Sequence, residues 1–205
     1  MINVSIAGIG GQGSVLAARI LAQAAEAKGW QVRSAETIGM AQRGGDVMSH
    51  VRMGNAGEEV FSPLPAKGTV NVLIALEPGE AARALPYLKE NGLLVVASTG
   101  IPPVMANFKR QTYDPQHLID DMQAAGVKMV VVDDAELVHR LGEPKALNVM
   151  MLAYAIIAVN KREDCVDNAL RGAITDAFGD VFGADDEIYN AILWAQRRQG
   201  KHDVT

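Results

Sequence analysis

Short apolar runs that alternate with helix-forming segments, a glycine-rich turn directly after the first run, and a helical last third predict an α/β protein. The expected architecture is a mostly parallel, Rossmann-like sheet covered by helices, with a helical C-terminal extension. One domain is expected over residues 1–205, its α/β body at about 1–133 and its helical part at about 134–205.

The elements follow in order. Residues 2–7 read as a buried strand, four of the six being apolar, and 8–13 as a turn. Residues 14–28, rich in Ala and Leu, form a helix that Gly29 stops. A second strand is expected at 31–36. Residues 37–46 carry two glycine clusters and little hydrophobic periodicity, which predicts an ordered loop. Residues 47–53 are strand-like, and Gly54-Asn55-Ala56-Gly57 is a turn that would return through 58–61 as a hairpin. Two prolines mark 62–68 as a connection. A buried strand at 70–76 leads through Glu77-Pro78-Gly79 into a helix that reaches about Leu88. Strands at 93–98 and 127–132 flank a proline-broken loop at 99–103 and a helix at 114–125. Four further helices are expected at 135–140, 144–160, 164–178 and 188–198.

Composition excludes several classes. A net charge of −5 and 5% aromatic residues argue against a nucleic-acid surface or a base-stacking platform. Cys165 is the one cysteine, so neither a disulfide framework nor a four-cysteine iron–sulfur cluster can form within these 205 residues. No apolar run reaches the roughly 18 residues of a membrane helix. The first residues lack the basic region and long apolar core of a signal peptide, so the expected compartment is the cytoplasm.

The chemistry-bearing pattern is Gly8-Ile9-Gly10-Gly11-Gln12-Gly13. It satisfies G-x-G-x-x-G, follows a strand and opens a helix. Glycines let backbone amides approach a phosphate, and the helix N-terminus offers free N–H groups and the positive end of its dipole. Gln12 and Ser14 would add side-chain donors at the same mouth. In a dinucleotide site, Glu36 at the end of the second strand would hold a ribose hydroxyl. Without a ligand, the same glycines permit tight strand–helix packing.

A second segment, Glu36 to Gly45, places Arg43 before Gly44 and Gly45. It reads as a phosphate clamp or as a docking loop for another chain. No thiamine-diphosphate metal motif follows Gly45-Asp46, since Val47 stands where a glycine should and no Asn-Asn pair appears downstream. His50, His117, His139 and His202 have no metal-ligand spacing. No nucleophile–base pair stands out, so neither catalytic nor metal-binding residues are expected on this chain.

Gly8 to Gly13, Glu36 to Gly45 and Ser49-His-Val-Arg52 together resemble the gamma-type domain of the 2-oxoacid:ferredoxin oxidoreductases. Gly39-Met-Ala-Gln-Arg-Gly-Gly45 and Leu76-Glu-Pro78 look most like the beta (small) subunit of the indolepyruvate branch. The resemblance implies a non-catalytic subunit supporting CoA-dependent oxidative decarboxylation of an aryl-2-oxoacid. Thiamine diphosphate and the iron–sulfur clusters would sit on a large partner subunit, which passes electrons to ferredoxin. Coenzyme A, as co-substrate, would be served from this chain. On this resemblance Gly8, Gly10, Gly11, Gln12 and Gly13 match the family's loop, and Arg43, Gly44 and Gly45 its second motif. Asp46 stands where the family often has Ser or Thr, and its carboxylate is expected to point away. The residues by themselves also admit a free-standing NAD-dependent oxidoreductase or a CoA- or nucleotide-binding module.

Overall fold

A computed structural model describes residues 1–39, 44–54, 57–102, 112–141 and 147–161. Six strands form one sheet in the order β2-β3-β1-β4-β5-β6. Strand β1 (Ile2–Ile9) is central, and its first seven residues are buried, as expected of a strand covered on both faces. On one side β4 (Val70–Ala75), β5 (Leu88–Ala97) and β6 (Met129–Val132) continue it in parallel. On the other side β3 (Asp46–Gly54) runs antiparallel to β1, and β2 (Gln31–Ile38) antiparallel to β3.

Strand alternation sorts the core into two layers. Ile2, Val4 and Ile6 of β1, with Val72 and Ile74 of β4, Leu93 and Val95 of β5, and Val51 and Met53 of β3, face one way. They meet α1 (Ser14–Ala27) and α5 (Leu147–Lys161). Ala7, Leu73, Ala75, Leu94 and Val96 face the opposite way, against α2 (Pro78–Ala84) and α3 (Pro115–Ala124). The short α4 (Asp134–Leu141) joins the first layer through Val138. The apolar α5 is therefore a core helix that completes the sheet's cover. A helix apolar on all sides finds its place there by being buried, and among the described residues no helix is long and apolar enough to cross a membrane.

Most expected elements form, with shifts that have local causes. Gly29 does stop α1: it sits at φ 77° and its amide closes the last turn on Glu26 O at 2.9 Å. Thr37 and Ile38, expected in the loop, extend β2, because Asp46 takes up the antiparallel ladder with the Gly39 amide at 2.8 Å. The expected helix through Leu88 ends at Ala84, continues as a 3-10 turn over Leu85–Tyr87, and gives way to β5 five residues early. Residues 58–61 do not return as a hairpin strand. The bare Gly54 admits the Glu58 carbonyl where a Cβ would stand, and the Gln31 side chain takes the Val60 amide that a ladder would have used. The helices expected at 164–178 and 188–198 lie outside the described residues, as does Cys165.

On the α2 face, His50 of β3 is 3% exposed, with its Nδ1 2.8 Å from Ser5 Oγ and its ring 5.7 Å from that of Tyr87. Burial holds its pKa below the ordinary histidine value of 6.5. Below that value the unfolded chain takes up a proton that the folded one resists, so stability should fall as pH drops through this window and be unaffected by His50 above it. The urea midpoint is expected to be lower at about pH 5.5 than at about pH 7.5, and His50→Gln should shrink the difference. Glu80, whose pKa is raised by burial, acts in the opposite sense.

Candidate functional site

The chain leaves β1 through α1 toward one edge of the sheet and leaves β4 through α2 toward the other. The switch point therefore lies between β1 and β4, and ligands of open α/β sheets bind outside the carboxyl ends of such strands. The glycine loop is at that rim. Gly8 and Ile9 still pair with Val47 and Asp46 of β3, so the turn proper begins at Gly10. Gly11 and Gly13 have φ of 107° and 81°, the left-handed side that glycine adopts without a steric penalty. A Cβ on Gly11 would meet nothing within 4 Å, which leaves that backbone open to an incoming group. Among the described residues the amides of Gly11, Gly13 and Ser14 have no acceptor, whereas the first two intrahelical bonds of α1 run from Leu16 and Ala17 to Gly13 O at 3.0 and 3.2 Å.

Gln12 does not project into the mouth. Its Oε1 accepts from Ile9 N at 2.7 Å and its Nε2 donates to Leu76 O at 2.9 Å. The side chain thus fills the crevice between the ends of β1 and β4 and leaves the donors to the backbone. Gly8 is bare to make room, since a Cβ there would lie 2.9 Å from Gln12 Oε1 and 3.2 Å from Leu76. Ser14 is buried at the first turn of α1. Gln12→Ala should cost about 1–3 kcal/mol, from two hydrogen bonds lost at a closely packed joint. A urea titration checks this, and an unchanged midpoint would contradict the bracing role.

The second glycine segment does reach the first. Because β2 runs parallel to β1 and β3 returns beside it, the end of β2 and the start of β3 lie at the same rim, and Gly10 N donates to Gly45 O at 2.9 Å. Gly44, at φ 73°, is exposed. Arg43 lies outside the described residues. Asp46 shares the face of Met48 and His50, the side of α2, and its carboxylate lies against Gly39. It is turned away from the N-terminus of α1. Glu36 is exposed on β2, a full strand removed from β1, not on an adjacent parallel strand as in dinucleotide sites.

Sequence reasoning did not find the braces of the rim. Glu77, 2% exposed, caps α2 by accepting from Glu80 N at 2.9 Å, and it also takes the Tyr113 hydroxyl and the Ile101 amide. Tyr113 Oη in turn accepts from Gly79 N at 3.0 Å, and burial, then the neighbouring Glu77, pushes its pKa upward. Asp134 accepts from Ser98 Oγ and Thr99 N at 3.1 and 2.8 Å, tying the loop after β5 to α4. Asn148 of α5 donates to Gly13 O at 2.8 Å. The string Glu77-Pro78-Gly79-Glu80 carried a helix-start signal; nothing near Asn148 pointed to Gly13.

The rim has two electrostatic sides. Amide donors face the α1 side. Asp46, Glu77 and Glu80 occupy the α2 side, where burial first, and then the charges of Asp46 and Glu77, raise the Glu80 pKa against the opposing Arg83. The amides without an acceptor thus lie apart from these three carboxylates. Among the described residues no cluster of His, Cys, Asp or Glu could hold a metal ion.

The family model for pyruvate ferredoxin/flavodoxin oxidoreductase matches residues 3–190, a span that contains both glycine segments. The chain belongs to that family. Within the family it is similar to the indolepyruvate oxidoreductase subunit IorB of Archaeoglobus fulgidus, 31% identical over 182 residues, or 85% of this chain and 89% of that one. The subunit of the same name from Thermococcus kodakarensis is 35% identical over 155 residues, 73% and 74% of the two chains. A keto/oxoacid ferredoxin oxidoreductase gamma subunit from Geobacter sulfurreducens shares the fold over 100% of both chains, with a TM-score of 0.55 at 18% identity. The 2-oxoglutarate:ferredoxin oxidoreductase of Magnetococcus marinus, solved with coenzyme A bound, contains the fold within 31% of its chain, with a TM-score of 0.58 at 16% identity.

Proposed function

We propose that the chain is the non-catalytic small subunit of an indolepyruvate (aryl-2-oxoacid) ferredoxin oxidoreductase, acting in the cytoplasm as one domain over residues 1–205. The observation that carries this reading is the pair of glycine segments joined at one rim, Gly10 N to Gly45 O, in a chain related to indolepyruvate subunits over most of its length. With a single cysteine, the chain does not suit an iron–sulfur cluster, and no thiamine motif is present. Those groups belong to a large partner chain, which delivers electrons to ferredoxin.

The residues present do suit coenzyme A. The open face of Gly11 and the amides of Gly11, Gly13 and Ser14 would hold an anionic phosphate, apart from Asp46, Glu77 and Glu80. Arg43, Gly44 and Gly45, which precede β3 in the sequence, would contact the same group. When bound, coenzyme A supplies the thiol that takes the acyl group. The part of this chain is to bind and orient it toward chemistry performed elsewhere.

Reconstitution tests the reading. Co-expressed with its large subunit, the chain should be required for viologen reduction driven by indolepyruvate and coenzyme A. Failure of both association and activity, with a partner shown to carry thiamine diphosphate and its clusters, would overturn the proposal.

A further inference from the structure

We infer that Asn148 is a positioning residue for the glycine loop: from α5 it fixes the peptide that aims the first free amide of α1 at a bound phosphate. This rests on the reading that the loop receives coenzyme A. The observations behind the fixation itself are independent of any ligand.

Asn148 is 2% exposed, and its carboxamide is oriented at both ends. Oδ1 accepts from Val149 N at 2.9 Å, which leaves Nδ2 to donate to Gly13 O at 2.8 Å across 135 residues of sequence. Gly13 O is the carbonyl that begins α1, already receiving Leu16 N and Ala17 N. A third donor saturates it and pins the Gly13–Ser14 peptide plane. In a trans peptide the N–H points opposite to the C=O. Pinning Gly13 O along the helix therefore directs the Ser14 N–H out of the N-terminus of α1, where the dipole favours an anion. Donation into a carbonyl also polarises the N–H of the same peptide, which strengthens it as a donor.

The fit is close. A Cβ on Gly13 would stand 2.4 Å from Asn148 Nδ2, so the glycine is bare where the asparagine reaches it. Ordering of α5 is thereby tied to the aim of a loop more than a hundred residues earlier.

The test uses the assembled complex. Asn148→Asp keeps the shape but replaces the donor by an acceptor facing Gly13 O. Coenzyme A binding, measured by calorimetry on the complex, should weaken about tenfold, and the apparent KM for coenzyme A should rise while that for the 2-oxoacid holds. Gly11→Val serves as the reference for the loop itself. If it weakens coenzyme A binding and Asn148→Asp does not, the positioning role is wrong and the loop reading stands. If neither changes coenzyme A binding, the loop reading fails and this inference with it. Should Asn148→Asp fail to assemble, Asn148→Ala, which removes the donor without adding a charge, decides in the same two measurements. Failure of that variant to fold, or equal losses for coenzyme A and 2-oxoacid, would reduce Asn148 to a structural tie.

Discussion

Gly13→Ala is expected to cost about 2–4 kcal/mol of stability, the larger of two glycine-loop effects. Two costs combine at this position. The backbone sits at φ 81°, ψ 25°, in the left-handed region that an alanine occupies at a penalty. The new Cβ would also lie 2.4 Å from Asn148 Nδ2, which must withdraw and leave its amide and Gly13 O without each other. Gly11→Ala separates the two costs. It has the same sign of φ, at 107°, but open space, so only backbone strain of about 1–3 kcal/mol remains. Urea midpoints at constant m-value measure both. Equal losses would mean that Asn148 yields freely. If Gly13→Ala proves the worse, the contact between α5 and the loop is shown to be rigid.

The second large effect is Glu77→Ala, expected at about 2–4 kcal/mol. The carboxylate caps α2 and collects the Tyr113 hydroxyl and the Ile101 amide, so truncation leaves several donors in a buried joint at once. Glu77→Gln keeps an acceptor for the cap and should recover part of the loss. Tyr113→Phe removes the acceptor of Gly79 N together with the bond to Glu77, at about 1 kcal/mol. Thermal unfolding of the three variants gives the order Ala, Gln, Phe from most to least destabilised. A Glu77→Ala protein as stable as the parent would refute the view that these loops are fastened through one side chain.

The sequence disclosed most of the parallel core because burial on both faces writes an unbroken apolar run, as in residues 72–76 and 93–97. Polar or paired-direction features were harder to read. Lys89, Glu90 and Asn91 belong to β5 yet are exposed, since the β4–β5 ladder is irregular between Val70 and Val72 and that stretch projects beyond it. Nothing in 47–53 states whether a strand pairs up or down, and the antiparallel insertion of β3 follows from its connection to β2. At the candidate site, the glycines were legible because φ above zero and close approach restrict the residue type. Gln12 was legible as a polar residue, but its direction was not, since Leu76 O lies 64 residues away. Asn148 was invisible for the same reason.

The insertion of β3 carries a dynamic consequence. Among the described residues β2 touches the sheet through β3 alone, and of its eight residues Val32 is the buried one. Local opening draws on regions with few buried contacts. The β2 amides should therefore lose their deuterium protection long before those of β1, β4 and β5, as a separate cooperative unit peeling from the edge. Gly45, which accepts from Gly10 N and leads into β3 beside β1, would stay with the Gly8–Gly13 turn on the slow-exchanging side. The edge strand and the rim would then differ in lifetime, the first opening often and the second a standing scaffold.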